Sequence, residues 1–302
     1  MSEKDSEKQA SSSPQAAPAG GGKPSRKAPP KKPRVNPRKQ QERRRFLRTA
    51  ALAGGVVSFS LVGWVPIERG SRLLLRPPGA LVEHEFRAAS IRCGQCVQVC
   101  PVGAISLGDL RDGFGNGAAH IEPRAQACDF SCDGLQCVLA CPTGALTHEI
   151  DYPHQVRIGF AELDRPDLCL AMKGKGFHGK IRTPDFKGKF RYEEIDRWNP
   201  LLIRSREFDL EICDLCMRHC PIEIRIMQCE DGKPPSGDPN QCPPKHALTL
   251  EPMTGDDGVK RMKPVVHDGC VGCGACEMVC PTEPASIVID MNKRATPEAE
   301  TA

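Results

Sequence analysis

The sequence predicts an α+β fold of small, separately knitted units behind a disordered N-terminal leader. Three observations predict it. All 17 cysteines of the 302-residue chain lie between Cys93 and Cys280. Aromatic residues make up only 5%, so the interior has to be cross-linked or filled by disulfides or metal. Gly and Pro, 28 of each, interrupt the apolar runs and leave room for short strands and single-turn helices.

Residues 1–42 are rich in Ser, Pro, Gly, Ala and Lys. Such a segment cannot bury enough apolar surface to offset its ordering entropy, and disorder is expected. Residues 1–45 hold thirteen Lys and Arg against four Asp and Glu. The net charge of +4 therefore belongs to the leader, and the cysteine-bearing body is mildly acidic. That balance argues against nucleic acid as a partner.

Segment 43–66 opens with Arg43-Arg44-Arg45-Phe46-Leu47-Arg48, which matches the twin-arginine pattern, and continues with the uncharged stretch Thr49–Val65, closed by Pro66. A basic region before an apolar one reads as an export signal. No small-x-small cleavage site ends the stretch, and its seventeen residues reach the short end of a bilayer span. The reading favours an uncleaved anchor with the basic leader inside. A signal of this kind is read on a folded protein, so cysteines can be loaded before they meet an oxidising compartment.

The body spans 67–290, and a disordered tail is expected over 291–302. Short strands are predicted at Ala104–Leu107, Val156–Phe160, Leu248–Leu250 and Ser286–Ile289, with single-turn helices inside the cysteine runs. There are four such runs. They are Cys93, Cys96, Cys100-Pro101; Cys128, Cys132, Cys137, Cys141-Pro142; Cys213, Cys216, Cys220-Pro221, with Cys169 upstream; and Cys270, Cys273, Cys276, Cys280-Pro281. The fourth is the bacterial 4Fe–4S signature C-x2-C-x2-C-x3-C-P. Three close thiolates wrap one cluster, while the fourth, set off by three residues and turned by proline, reaches a neighbour. Gly272 and Gly274 let backbone N–H groups approach the sulfurs, and Val271, Val279 and Ile287 keep water away. Structural zinc uses paired C-x2-C rather than triplets ending in Cys-Pro. A disulfide scaffold is disfavoured by the odd cysteine count. The units are therefore ferredoxin-like, with three or four 4Fe–4S clusters. Which runs share a pair stays open between neighbouring runs and the nested arrangement of one with four and two with three.

With the leader, Arg76-Pro77-Pro78-Gly79-Ala80-Leu81 and Arg92-Cys93-Gly94-Gln95-Cys96-Val97-Gln98-Val99-Cys100-Pro101, the chain resembles the NapG/MauM kind of ferredoxin-type protein over roughly 43–290. The resemblance implies a four-cluster protein on the periplasmic side of the cytoplasmic membrane. It would take electrons from a membrane quinol-oxidising iron–sulfur protein and pass them to a periplasmic reductase or cytochrome. The ligands implied are the cysteines of the four runs and Cys169. The alternative is the electron-transfer subunit of an exported molybdenum oxidoreductase or hydrogenase.

Three features depart from that family. Ser90 stands where its first cysteine belongs, implying ligation through oxygen, a 3Fe–4S cluster, a substitute ligand or an empty site. The insert between Cys169 and Cys213 carries Lys173, Lys175, His178, Lys187, Lys189, Arg191 and Trp198. It reads as a solvated loop, with a basic docking surface as the rival reading. Cys229 and Cys242 lie outside every run and read as a disulfide closing a Gly/Pro-rich loop, with replacement of the missing Ser90-site thiolate, or a pair of free thiols, as the rivals. The sequence holds no nucleophile–base pair, phosphate-binding loop or flavin fingerprint. The eight histidines read as surface residues or supports behind the ligands. The chain reads as a carrier without catalytic residues of its own, or as one component of a quinol dehydrogenase.

Overall fold

Residues 37–69, 74–108, 117–132, 134–191, 199–254 and 258–293 are described in the computed structural model. The chain divides into two units, 1–57 and 58–302.

Helix α1 runs from Pro37 to Arg69. Residues 37–42, expected to be disordered, form its first turns. Proline at the first helical position needs no N–H partner, and Arg, Lys, Gln and Glu then favour helix. The twin-arginine segment and the backbone of the whole uncharged stretch are helical. Phe46, Leu47, Leu52, Val56, Val57 and Phe59 are exposed on this helix. The side chains of 60–65 lie outside the described residues. Among the described residues no helix is long and apolar enough to cross a membrane.

Among the described residues, the cysteine-bearing unit contains five two-stranded antiparallel sheets. Strands β1 (Ile105–Leu107) and β2 (Ala119–Ile121) pair first, with Leu75 bridging to Ile121. Strand β3 (Phe160–Leu163) pairs with β10 (Ile287–Asp290), Ala161 opposite Ile289 and Leu163 opposite Ile287. Strand β8 (Leu248–Thr254) pairs with β9 (Lys260–Val266). Three of the predicted strands are present. The fourth was placed too early: Val156 and Ile158 are buried from a loop, and pairing starts only at Phe160. Their alternation marks burial, and the Ile158 N–H bonds to the Val271 carbonyl instead of a neighbouring strand.

Short helices stand inside the four runs: α3 (Gln95–Gln98), α4 (Gln136–Leu139), α5 (Leu215–Arg218) and α7 (Ala275–Val279). Left-handed residues open three of them, Gly94, Leu135 and Gly274. Helix α2 (Glu83–Ala89) leads into the first run and α6 (Pro221–Glu230) leaves the third.

The insert is not a solvated loop. Strand β4 (Phe177–Lys180) pairs with β7 (Glu207–Leu210), and β5 (Lys189–Phe190) with β6 (Leu201–Leu202). Ile181, Phe186, Phe190, Ile203 and Phe208 are buried there. Its lysines alternate with these apolar residues, so the charge conceals a small core of its own. Trp198 lies outside the described residues. At the other end, part of the expected tail is ordered: Asp290 accepts a hydrogen bond from the Asn292 N–H, and Lys293 pairs with Glu162.

Candidate metal centres

Alanines and cysteines make up much of the core, and Phe86 and Phe130 are its largest fully buried side chains. Cys229 and Cys242 form a disulfide. Bonded to each other, they are not available as substitute ligands. The other fifteen cysteines are free and fall into four groups.

Cys220, Cys270, Cys273 and Cys276 line one nearly apolar cavity. Cys169, Cys213, Cys216 and Cys280 line a second. Cys93, Cys96 and Cys141 line a third together with Ser90. The remaining four, Cys100, Cys128, Cys132 and Cys137, lie near one another: burial first, then the charges of Cys132, Asp129, Cys137 and Cys100, raises the Cys128 pKa. Neighbouring runs therefore share a pair, and each run contributes to two groups. Cys100 leaves run one for the group of run two, and Cys141 goes the other way. Cys220 and Cys280 make the same exchange between runs three and four.

The groups follow one another in a row. Helices α3 and α4, which carry Cys96 and Cys137, pack against each other and join the first two. The Cys128 N–H bonds to the Cys273 carbonyl at 3.2 Å, joining the second to the Cys270 cavity. Helices α5 and α7, which carry Cys216 and Cys276, pack together and join that cavity to the Cys169 cavity. Arg124 fastens run two to run four. Its guanidinium donates to the carbonyls of Glu277 (2.5 Å), Cys280 (2.8 Å) and Thr282 (2.7 Å) and pairs with Glu283.

Several glycines allow this closeness. A Cβ on Gly272 (φ +73°) would stand 2.3 Å from the Gly159 backbone, and one on Gly274 would meet Pro123 at 2.6 Å. No side chain fits at either place.

The thiols are electrostatically unusual. Burial, then neighbouring thiolates, push Cys128, Cys216, Cys273 and Cys276 well above the ordinary thiol value. Burial takes Cys220 up to about 12 and Cys213 to about 11. The exchanged thiols Cys141 and Cys280 go the other way. Burial opposes their ionisation, but donors outweigh it: the Leu146, Thr143 and Ala145 N–H groups and the Thr143 hydroxyl for Cys141, and Thr282 and Ser286 for Cys280. The Ala104 N–H likewise donates to Cys100 Sγ at 3.2 Å. Thiols gathered around a dry space ionise together only with a cationic centre among them. Among the described residues no three His, Cys, Asp or Glu are arranged to hold a single metal ion. Four thiols around a cavity, with backbone N–H groups aimed at sulfur, fit an iron–sulfur cluster instead.

His219, beside Cys220, is buried between Phe190 and Phe208, and its Nδ1 donates to the Leu215 carbonyl. Burial lowers its pKa to about 4, so it stays neutral.

Comparison with known proteins agrees. Residues 91–145 match the family described as 4Fe-4S dicluster domain, and 263–284 match the 4Fe-4S binding domain. The Ferredoxin-type protein NapG of Escherichia coli (strain K12) is 31% identical over 255 residues, covering 83% of this chain and 86% of that protein. The chain belongs to the NapG/MauM ferredoxin-type family. A second member of the family, the Methylamine utilization ferredoxin-type protein MauM of Paracoccus denitrificans (strain Pd 1222), is 32% identical over 82% of this chain and 86% of its own length. The MauM of Methylorubrum extorquens is 29% identical over 82% of this chain and 89% of its own. No solved structure matches the chain. The dicluster match covers runs one and two together, the same runs that exchange Cys100 and Cys141.

Proposed function

We propose that the chain is an electron carrier. It would relay electrons from a membrane quinol-oxidising iron–sulfur partner to a periplasmic reductase or cytochrome. The observation that carries this reading is the unbroken row of four thiol groups, from the Cys93 cavity at one end to the Cys169 cavity at the other. A row with two ends suits a protein that receives at one and delivers at the other.

The ligands would be Cys93, Cys96 and Cys141; Cys100, Cys128, Cys132 and Cys137; Cys220, Cys270, Cys273 and Cys276; and Cys169, Cys213, Cys216 and Cys280. When bound, 4Fe–4S clusters supply one-electron oxidation and reduction at potentials set by their surroundings. The residues of this chain set those surroundings. Val271, Ile222, Leu248 and Ile289 line the Cys270 cavity and exclude water from it. Gly272 and Ala161 donate N–H groups to Cys270, and Ala275 donates to Cys273. Export by the twin-arginine segment and residence on the periplasmic side of the membrane belong to the same proposal. The Cys229–Cys242 disulfide supports it, since such bonds persist in oxidising compartments.

The test uses anaerobically purified full-length protein mixed with membranes holding reduced quinol. Visible absorption is expected to bleach with the membranes and to recover on adding an oxidised periplasmic cytochrome. Bleaching by dithionite but by no quinol-reduced membrane overturns the quinol relay. Co-purification of a stoichiometric large catalytic subunit would move the chain to the subunit reading.

A further inference from the structure

Ser90 holds in run one the place that Cys270 holds in run four. The two runs read S-x2-C-x2-C-x3-C-P and C-x2-C-x2-C-x3-C-P. Their backbones repeat as closely. Two residues after Cys270, Gly272 has φ +73°, and two residues after Ser90, Arg92 has φ +58°. Gly274 and Gly94, both left-handed, then open the short helices α7 and α3. The Gly272 N–H donates to Cys270 Sγ, and the Arg92 N–H donates to Ser90 Oγ at 3.3 Å. The serine oxygen thus receives the same turn hydrogen bond as the cysteine sulfur. Arg92 adopts a backbone conformation uncommon outside glycine, so the turn is kept where the residue type does not favour it. Ser90, Cys93, Cys96 and Cys141 line a single cavity. Every other free cysteine belongs to another group, and the remaining two are bonded to each other.

We propose that Ser90 is the fourth ligand of this cavity, through oxygen, and that the iron it holds is exchangeable. This rests on the iron–sulfur reading above and singles out one corner of one site. Iron–sulfur clusters are suited to soft thiolate ligands, and a serine oxygen is a hard and shorter-reaching substitute. The corner is also open to solvent: Cys93 is exposed, and Ile91 beside it is 65% exposed. Release of the iron needs no oxidant. A dipositive four-iron core gives one Fe2+ and a neutral three-iron core, and Ser90 regains a proton from water as its iron–oxygen bond breaks.

The experiment treats anaerobically purified full-length protein with a ferrous chelator and follows iron release in the wild type, Ser90→Cys and Ser90→Ala. The wild type is expected to lose about one iron per chain about tenfold or more faster than the rest, in line with the cost of altering one ligand environment. Ser90→Cys should abolish that fast phase, and Ser90→Ala should accelerate it. After mild oxidation, the chelated wild type should give the EPR signal of a three-iron cluster, and Ser90→Cys should not. A fast phase that is absent from the wild type, or unchanged in either variant, overturns the proposal while leaving the carrier reading intact. Colourless, iron-free protein overturns both.

Discussion

At Glu223 one buried carboxylate serves three donors: the Ala247 N–H (2.6 Å), the Leu248 N–H (3.0 Å) and His246 Nδ1 (2.9 Å). Glu223→Ala would strand two buried backbone donors, and denaturant unfolding should show a loss of about 2–4 kcal/mol. The hydrogen bond that His246 donates to Glu223, then the charge of Glu223, raises the His246 pKa. A histidine raised on folding stabilises fully below its unfolded value. That contribution fades as pH rises through the folded value. Wild type and His246→Gln should therefore differ in stability at mildly acidic pH and converge at alkaline pH in parallel melts. Glu223 was not legible in the sequence, because its partners lie more than twenty residues away and it stands in an ordinary helical segment. Ser90 was legible because the motif around it is local and repeated.

Among the elements, the disulfide ties the end of α6 to the loop that follows. Replacing Cys229 and Cys242 with serine should lower stability by about 3 kcal/mol, the entropy of a loop of this length. Because both lie outside the thiol groups, iron content should not change. Thermal melts and iron assay together check both halves. The one-turn helices were readable from the runs themselves, since cysteine spacing and glycine fix them locally. The insert was not, because its ladders join β4 to β7 across some thirty residues and its phenylalanines are interleaved with lysine. A basic docking surface there is best tested by charge reversal at exposed Lys173, Lys175 and Lys187 rather than by deletion. Deleting the segment would also remove buried Ile181 and Phe186.

Across the whole molecule, Arg124 is one of the fastenings between the first pair of groups and the second. Arg124→Ala would leave three carbonyls without their donor and should cost about 2–4 kcal/mol in chemical unfolding. Chelating all the iron should have a larger effect. The thiols are themselves core residues, so apoprotein is expected to lose its near-UV circular dichroism and become protease-sensitive. Anaerobic iron analysis should give ~16 irons for four full cubanes and ~12 if the Ser90 site is empty. The runs were visible in the sequence, but which neighbour each exchanged cysteine reaches was not, because it depends on long-range approaches such as that of Cys141 to Cys93 and Cys96. The exchange of one cysteine within each pair has a temporal consequence. No cavity is spelled out by a contiguous segment as the chain leaves the ribosome. The Ser90 cavity waits for Cys141, and the one begun at Cys169 is the last to be completed, when Cys280 emerges. A translation product that stops between Cys169 and Cys280 ends with an open cavity at its growing tip, so only a chain that extends through Cys280 can hold a complete set.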